Sequence, residues 1–221
     1  MAPTIKICGL STAPTLAAAL DAGADMVGFV FFAKSPRNVA PDVAKTLARQ
    51  ARQRAEIVAL CVDATDEAIA AIVAATEPDY LQLHGSESPE RVAEIQRKFG
   101  VSAIKAIGIA EAADFGKADE YKDAADALLI DAKPPKGAIL PGGNGVPFDW
   151  RLARDFHPRK PWLLSGGLDP GNVAQAIALS LTRGIDVSSG VENAPGVKDI
   201  DKIKAFVEAA RAAFDLDPSL N

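Results

Sequence analysis

The chain has 221 residues, 48% hydrophobic and 24% charged, a composition typical of a globular protein. Its net charge of −5 contains no block of one sign, which argues for a soluble protein and against binding to nucleic acid or a membrane surface. No apolar run reaches the roughly 18 residues of a membrane span, and we expect no signal peptide. The two cysteines make neither a disulfide framework nor, with two distant histidines, a zinc site, so we expect a cytoplasmic protein.

Apolar runs typical of strands alternate with helix-like runs along the whole chain. Strands are predicted over 4–8, 25–31, 56–62, 79–83, 102–107, 127–130, 161–164 and 184–187. The helices that follow them are predicted over 14–22, 42–53, 66–75, 88–98, 111–121, 148–156, 169–181 and 199–214. Thr65 and Ser88 are expected to cap two of these helices. Residues 132–147 form one long insertion, and about 215–221 form a frayed tail.

Eight strand-then-helix units predict a parallel sheet with helices outside it. Eight units within this length fit an α/β fold, a (β/α)₈ TIM barrel that covers residues 1–221 as a single domain. An open doubly wound sheet is the alternative. It is disfavoured because no Gly-x-Gly-x-x-Gly turn follows the first strand.

The residues at the carboxyl ends of the predicted strands are polar or small, whereas the strand interiors are apolar. Active sites of (β/α)₈ barrels lie at this end. The set comprises Cys8, Lys34, Arg37, Asp63, His84, Asp131, Ser165 to Gly167, and Ser188 to Gly190. A barrel with a purely structural role does not need these residues, so we predict a functional site there.

The ends of strands seven and eight predict a phosphate site. Glycines and serines there present backbone N–H groups and hydroxyls, and the loops after these two strands are the common phosphate site of the fold. Glu192–Val197 is expected to supply an adjoining turn; the alternative is that the glycines only form tight turns. The candidate phosphate-binding residues are Gly166, Gly167, Asp186, Ser188, Ser189 and Gly190.

Cys8 is the candidate base, because alternation along a strand places it on the same face as Lys6 at the strand end. A nearby cation stabilises a thiolate, and we expect Lys6 to lower the pKa of Cys8. An inert buried thiol is the alternative. Cys61 lies within strand three, where core packing explains it.

Asp131 is the candidate acid. It follows a run of apolar residues, and loss of solvation there is expected to raise its pKa into a range that suits a general acid. Arg37 has the fork of donors that binds a carboxylate, although a solvated loop arginine is the alternative. Gln82 and His84 share one face of strand four and either orient a substrate or close the rim.

The chain resembles the phosphoribosylanthranilate isomerase family of tryptophan biosynthesis. The resemblance covers nearly the whole chain, in the expected order. Its motifs are Lys6-Ile7-Cys8-Gly9, Gly28-Phe29-Val30-Phe31, Lys34-Ser35-Pro36-Arg37, Leu81-Gln82-Leu83-His84-Gly85, Leu129-Ile130-Asp131, Gly142-Gly143-Asn144-Gly145, Phe148-Asp149-Trp150, Leu164-Ser165-Gly166-Gly167-Leu168 and Asp186-Val187-Ser188-Ser189-Gly190-Val191-Glu192. Two features depart from the family pattern, a longer Lys136–Pro141 segment and Val146 in place of a polar residue.

The resemblance implies an Amadori rearrangement of N-(5′-phosphoribosyl)anthranilate to 1-(2-carboxyphenylamino)-1-deoxyribulose 5-phosphate, without metal or cofactor. Asp131 would be the general acid and Cys8 the general base. Arg37 would bind the anthranilate carboxylate, with Gln82, His84 and Lys6 as further substrate-binding candidates. The expected partner is a small phosphosugar, and the chain is expected to be a monomer or homodimer.

Two other functions are weighed against this one. Another phosphosugar barrel enzyme is disfavoured, because an epimerase would need metal-binding histidines and an indoleglycerol-phosphate synthase a catalytic lysine with a glutamate pair. A non-catalytic phosphosugar-binding barrel would leave the pairing of Cys8 with Asp131 unexplained.

Overall fold

The computed structural model describes residues 2–134, 137, 140, 142–143 and 147–216. Within them, eight parallel strands close into a barrel. The strands are β1 (Thr4–Cys8), β2 (Met26–Phe31), β3 (Glu56–Cys61), β4 (Tyr80–Leu83), β5 (Ser102–Ile109), β6 (Ala127–Ala132), β7 (Trp162–Leu164) and β8 (Gly184–Val187). Because β1 pairs with both β2 and β8, the sheet has no edge. The predicted barrel is confirmed, and the open doubly wound sheet is rejected.

Helices surround the barrel. They are α1 (Ala13–Ala22), α2 (Pro41–Ala51), α3 (Asp66–Thr76), α4 (Pro89–Phe99), α5 (Gly116–Glu120), α6 (Val173–Ser180) and α7 (Ile200–Leu216). The predicted caps are confirmed, since the hydroxyls of Thr65 and Ser88 accept hydrogen bonds from backbone N–H groups in the first turns of α3 and α4. No helix of the described residues is long and apolar enough to cross a membrane.

Three predicted helices are shorter than expected. The stretch 111–121 is a 3₁₀ turn (Ala112–Phe115) followed by α5, and 148–156 contains only the 3₁₀ turn Trp150–Ala153. The helix predicted from residue 169 begins at Val173. Its start is delayed because the Asp169 carboxylate accepts hydrogen bonds from the N–H groups of Gly171 and Asn172, which holds those residues in a turn.

The chain ends and the insertion also differ in detail from the prediction. Helix α7 continues through Leu216, so the predicted tail is wrong at residues 215 and 216, and its remainder lies outside the described residues. Of the Lys136–Pro141 segment only Gly137 and Leu140 are described, and Val146 lies outside the described residues.

Two apolar layers sit on the two faces of the sheet. The barrel interior is filled by Met26, Val58, Ile104, Ala127, Leu129 and Leu163. A larger cluster lies between the outer face and the helices and includes Ile5 and Ile7 of β1. Since side chains alternate along a strand, Lys6 and Cys8 point into the barrel.

Three aspartates tie neighbouring strands together at the amino-terminal end of the barrel. Each stands immediately before an even-numbered strand and accepts a hydrogen bond from a backbone N–H of the strand before it. The pairs are Asp25 with Ile5 (2.6 Å), Asp79 with Ile57 (2.7 Å), and Asp126 with Ala103 (2.9 Å). These bonds stabilise the strand pairs β1–β2, β3–β4 and β5–β6 far from the other rim, where polar residues collect.

Candidate active site

A cavity opens at the carboxyl ends of the strands. Its wall combines apolar side chains with a few polar groups, as the walls of small-molecule sites do. The predicted site residues that line it are Cys8, Arg37, Gln82, His84, Asp131, Gly166, Gly167, Asp186, Ser188 and Ser189. Lys6 and Gly190 are not among its lining residues.

Cys8 lies at the inner end of the cavity, beside a buried series of hydrogen bonds that joins Lys6, Asp186 and Ser165. Lys6 is fully buried, and its ammonium donates to Asp186 Oδ1 at 2.7 Å. The other carboxylate oxygen of Asp186 accepts from the Ser165 hydroxyl at 3.2 Å. Gly28 of β2 lies opposite Cys8, and a Cβ there would come within 2.9 Å of the Cys8 sulfur. The absence of a side chain at Gly28 therefore makes room for the thiol.

The charges around Cys8 act in opposite directions. Burial raises the pKa of the Cys8 thiol, the Lys6 ammonium opposes that rise, and Asp186 adds to it. Burial has the largest effect on Lys6 and lowers its pKa, but the charges and hydrogen bonds of Asp186 and Cys8 together outweigh burial and raise the pKa, so Lys6 stays protonated. The cation thus acts in the direction that the sequence predicted, although burial has the larger effect on the thiol.

Asp131 lies within β6 rather than after it, and it faces the same cavity. One carboxyl oxygen accepts from the N–H of Ala132 at 2.8 Å, and the other lies 3.3 Å from His84 Nε2. Gln82 Nε2 is 2.9 Å from His84 Nδ1. A Cβ at Gly142 would meet both Asp131 and His84 at 2.5 Å, so the backbone of the insertion crosses directly over this pair.

Arg37 forms a buried ion pair with Glu192. Its Nε and Nη2 donate to the two Glu192 carboxylate oxygens at 2.7 and 2.9 Å. Glu192 also accepts from Lys198 Nζ at 2.7 Å. Burial would raise the pKa of Glu192, but the hydrogen bond from Arg37 and the charge of Lys198 together lower it, which keeps the carboxylate ionised.

Lys198 connects this ion pair to the end of β8. Its ammonium donates to the Ser188 carbonyl at 2.8 Å and contacts the Ser188 hydroxyl at 3.3 Å. Burial lowers the pKa of Lys198, while the Glu192 carboxylate opposes that change. Lys198 belongs to a small antiparallel hairpin, β9 (Glu192–Ala194) and β10 (Val197–Lys198). The turn expected over Glu192–Val197 is therefore this hairpin, and the turn after β8 is the 3₁₀ segment Ser189–Val191.

The glycine loops after β7 and β8 approach neighbouring backbone closely. A Cβ at Gly166 would lie 2.7 Å from the Ala132 nitrogen, and one at Gly167 would lie 2.6 Å from the Pro147 nitrogen. Gly166 and Gly167 also have positive φ angles of 89° and 68°. A Cβ at Gly190 would overlap the Leu168 carbonyl. The loops after β7 and β8 thus approach neighbouring backbone so closely that these three glycines have no room for a side chain.

The sequence assigns no role to three polar residues of this site. Ser165 is predicted only to lie on the rim, and Glu192 appears only in the expected turn Glu192–Val197 and at the end of a motif. Lys198 carries no local signal, since it lies in an ordinary stretch ten residues after Ser188. Asp186, predicted to bind phosphate, instead has both carboxylate oxygens engaged by Lys6 and Ser165 inside the barrel.

The fold and the cavity together define a class, (β/α)₈ barrel enzymes whose active site lies at the carboxyl ends of the strands. A family model described as N-(5′-phosphoribosyl)anthranilate (PRA) isomerase matches residues 5–209. The chain belongs to this family.

Relatives and solved structures agree with that assignment. The N-(5′-phosphoribosyl)anthranilate isomerase of Rhodopseudomonas palustris strain BisB5 is 54% identical over 98% of this chain and 99% of its own. That of Rhizobium meliloti is 52% identical over 96% and 99%. The Thermotoga maritima enzyme superposes with a TM-score of 0.83 at 34% identity, over 96% of this chain and all of that one. A structure of a family member with reduced 1-(o-carboxyphenylamino)-1-deoxyribulose 5-phosphate gives 0.82 at 32% identity, over the same shares.

Proposed function

We propose that the protein isomerises N-(5′-phosphoribosyl)anthranilate to 1-(2-carboxyphenylamino)-1-deoxyribulose 5-phosphate, a step of tryptophan biosynthesis. Family membership supports this substrate. The observation that carries the mechanism is that the Cys8 thiol and the Asp131 carboxyl line one cavity, which Arg37 and the glycines after β7 also line. An acid and a base held on one substrate are the requirement of an aldose–ketose rearrangement.

Asp131 acts first, as the general acid. Its protonated carboxyl donates a proton to the ring oxygen of the ribose, the bond from C1′ to that oxygen breaks, and a protonated Schiff base forms between C1′ and the anthranilate nitrogen. The Ala132 N–H donates to one oxygen of this carboxyl, and His84 Nε2 lies beside the other. They fix its direction before the substrate arrives.

Cys8 acts second, as the general base. Its thiolate removes the proton from C2′, and the electron pair moves to make a C1′=C2′ enolamine with a neutral nitrogen. The enol proton at the C2′ oxygen is then lost and C1′ gains a proton, which gives the ketone. Lys6 stabilises the thiolate through its positive charge. A carboxylate disfavours a nearby phosphate, so we assign Asp186 to holding Lys6 rather than to the phosphate.

The substrate contacts two sets of residues in the cavity. The substrate phosphate lies against the loops of Gly166, Gly167, Ser188, Ser189 and Gly190, whose backbone N–H groups and hydroxyls are donors of the kind that bind an anion. Arg37 binds the carboxylate of the anthranilate ring. Gln82 contributes a buried amide oxygen that has no hydrogen-bond partner among the described residues, and we assign it to a sugar hydroxyl.

The test is turnover of freshly made N-(5′-phosphoribosyl)anthranilate, with both sugar phosphates separated by chromatography. Cys8→Ser and Asp131→Asn are each expected to lower kcat by at least about a hundredfold, the contribution of one positioned acid or base. Cys61→Ser is the matched control, because this second buried thiol lies on the outer face of β3 and should leave kcat near the parent value. Near-full activity in either active-site variant would contradict the acid–base assignment.

The same assay separates the other functions. Binding of the substrate without turnover would favour a phosphosugar-binding barrel, and turnover of a different phosphosugar would favour another barrel enzyme. The single-domain organisation, the cytoplasmic location and the state of monomer or homodimer stay predictions. For the last, a related structure concerns monomers of the dimeric Thermotoga maritima enzyme, and sedimentation of this protein decides the question.

A further inference from the structure

Glu192 holds Arg37 by one particular edge of its guanidinium. The carboxylate takes the Nε–H and one Nη2–H at 2.7 and 2.9 Å, with both side chains less than a tenth exposed. Among the described residues, Glu192 is the only hydrogen-bond partner of this guanidinium. The pair is separated by 155 positions in the chain and forms only because the end of β8 returns beside the loop after β2.

A guanidinium has five N–H donors, so three remain beyond the two that Glu192 takes. One is on Nη2 and two are on Nη1, and the edge between these nitrogens can receive a second carboxylate through two parallel hydrogen bonds. Nη1 faces the cavity side of the insertion, since a Cβ at Gly143 would lie 2.9 Å from it. Arg37 lines the cavity, whereas Glu192 does not.

Further hydrogen bonds and a backbone contact hold the hairpin that carries Glu192 in place. Lys198 Nζ and the Gly196 N–H both donate to the Glu192 carboxylate, at 2.7 and 3.1 Å. Gly196, with a φ of 82°, lies against the Pro36 carbonyl, so the hairpin packs directly onto the segment that carries Arg37. A carboxylate with four hydrogen bonds, three of them from the buried side chains of Arg37 and Lys198, has little freedom to move.

We propose that Glu192 is a positioning residue that turns the Nη1–Nη2 edge of Arg37 toward the substrate, and that it thereby sets the preference for a ligand whose aromatic ring bears a carboxylate. This proposal rests on the proposed function, in which Arg37 binds that carboxylate. Glu192 does not touch the substrate and acts through Arg37.

Glu192 has two effects that can be separated by experiment. As a positioning group it limits the rotamers of Arg37, and its loss weakens carboxylate recognition. As a counter-charge it neutralises Arg37, and its loss would strengthen attraction of an anionic ring. The positioning effect dominates, because a bidentate hydrogen-bonded contact requires a fixed donor geometry.

The experiment compares two ligands by titration calorimetry. One is reduced 1-(o-carboxyphenylamino)-1-deoxyribulose 5-phosphate, and the other is the same compound without the ring carboxylate. We expect the parent protein to bind the first at least about tenfold more tightly, the value of one charge-assisted contact. In Glu192→Gln this ratio should fall to about threefold or less, and in a protein that also carries Arg37→Ala it should equal that of Arg37→Ala alone.

Two further variants keep the outcome decisive. Glu192→Asp retains the charge but shortens the reach, so positioning predicts loss of the ratio whereas a counter-charge role predicts that the ratio is kept. Glu87→Gln removes another buried carboxylate paired with a lysine, Lys105 at 2.8 Å, and should leave the ratio at the parent value. A parent-like or larger ratio in Glu192→Gln or Glu192→Asp overturns the proposal. A parent protein with no preference instead contradicts the role given to Arg37 in the proposed function, and the proposal fails with it.

Discussion

Replacing Lys6 with methionine is expected to change both the free energy of unfolding and the pKa of Cys8, because Lys6 forms a buried ion pair beside the thiol. The Lys6 ammonium and the Asp186 carboxylate lie 2.7 Å apart, with 0% and 6% of their side chains exposed. Removing the lysine leaves the carboxylate buried with only the Ser165 hydroxyl as a partner among the described residues. Breaking such a pair costs about 3–5 kcal/mol. The free energy of unfolding of a domain is only about 5–15 kcal/mol in total, so we expect this substitution to lower it by a large fraction.

The same change should act on the thiol. Lys6 opposes the effect of burial on Cys8, so its removal leaves burial and Asp186 to raise the pKa of Cys8 further. The rate of Cys8 alkylation, measured against pH by mass spectrometry of its peptide, should therefore rise at higher pH than in the parent. Cys61 does not interfere, because burial and then the charge of Glu87 raise its pKa to about 12.

A second variant distinguishes these effects. Lys6→Met combined with Asp186→Asn removes the uncompensated charge and should recover much of the lost stability in urea unfolding. If the alkylation profile of Cys8 is unchanged in Lys6→Met, Lys6 has no part in thiolate formation. If the free energy of unfolding is unchanged, the reasoning about the buried carboxylate is wrong.

Two further substitutions test the packing around the site and the hydrogen bonds between strands at the amino-terminal end of the barrel. Gly28→Ala places a methyl group 2.9 Å from the Cys8 sulfur, so we expect kcat to fall at least about tenfold, with a loss of about 1–3 kcal/mol in unfolding free energy. Parent-like kcat would show that the thiol position is not critical. Asp25→Ala removes the acceptor of the buried Ile5 N–H and the partner of Arg211, at 2.6 Å each. It should cost about 1–3 kcal/mol in urea unfolding at unchanged KM, and a shifted KM would contradict a purely structural role.

The strand pattern could be predicted from the chain, because buried parallel strands have a local signature. Continuous apolar runs such as Met26–Phe31 need no knowledge of distant partners. Helix boundaries were less predictable where a side chain competes for the backbone, as Asp169 does at the start of α6. Asp131 was expected after its strand and lies within it, because pairing with Gly108 extends β6 by two residues.

The site was predictable to the extent that its residues sit at strand ends. Cys8, His84 and Asp131 are predicted in this way and line one cavity. The role of base for Cys8 and of acid for Asp131 follows from their positions and agrees with the resemblance to the family, and both roles stay predictions. The pairing of Glu192 with Arg37 could not be predicted, because the two residues lie 155 positions apart in the chain, and no local pattern marks Lys198. No local pattern pairs residues 37 and 192.

By itself the sequence determined the eight strand-and-helix units and the face on which Lys6 and Cys8 both lie, since alternation and apolar runs are local properties. Only the tertiary structure decided which charges meet. Closure of β8 onto β1 brings Asp186 to Lys6 across 180 positions and the Glu192 hairpin to Arg37. Burial of Cys8 depends on every surrounding element, and it has the largest effect on the pKa of the thiol. The cost of desolvating a thiolate is set by the whole cavity wall rather than by its neighbours in the chain.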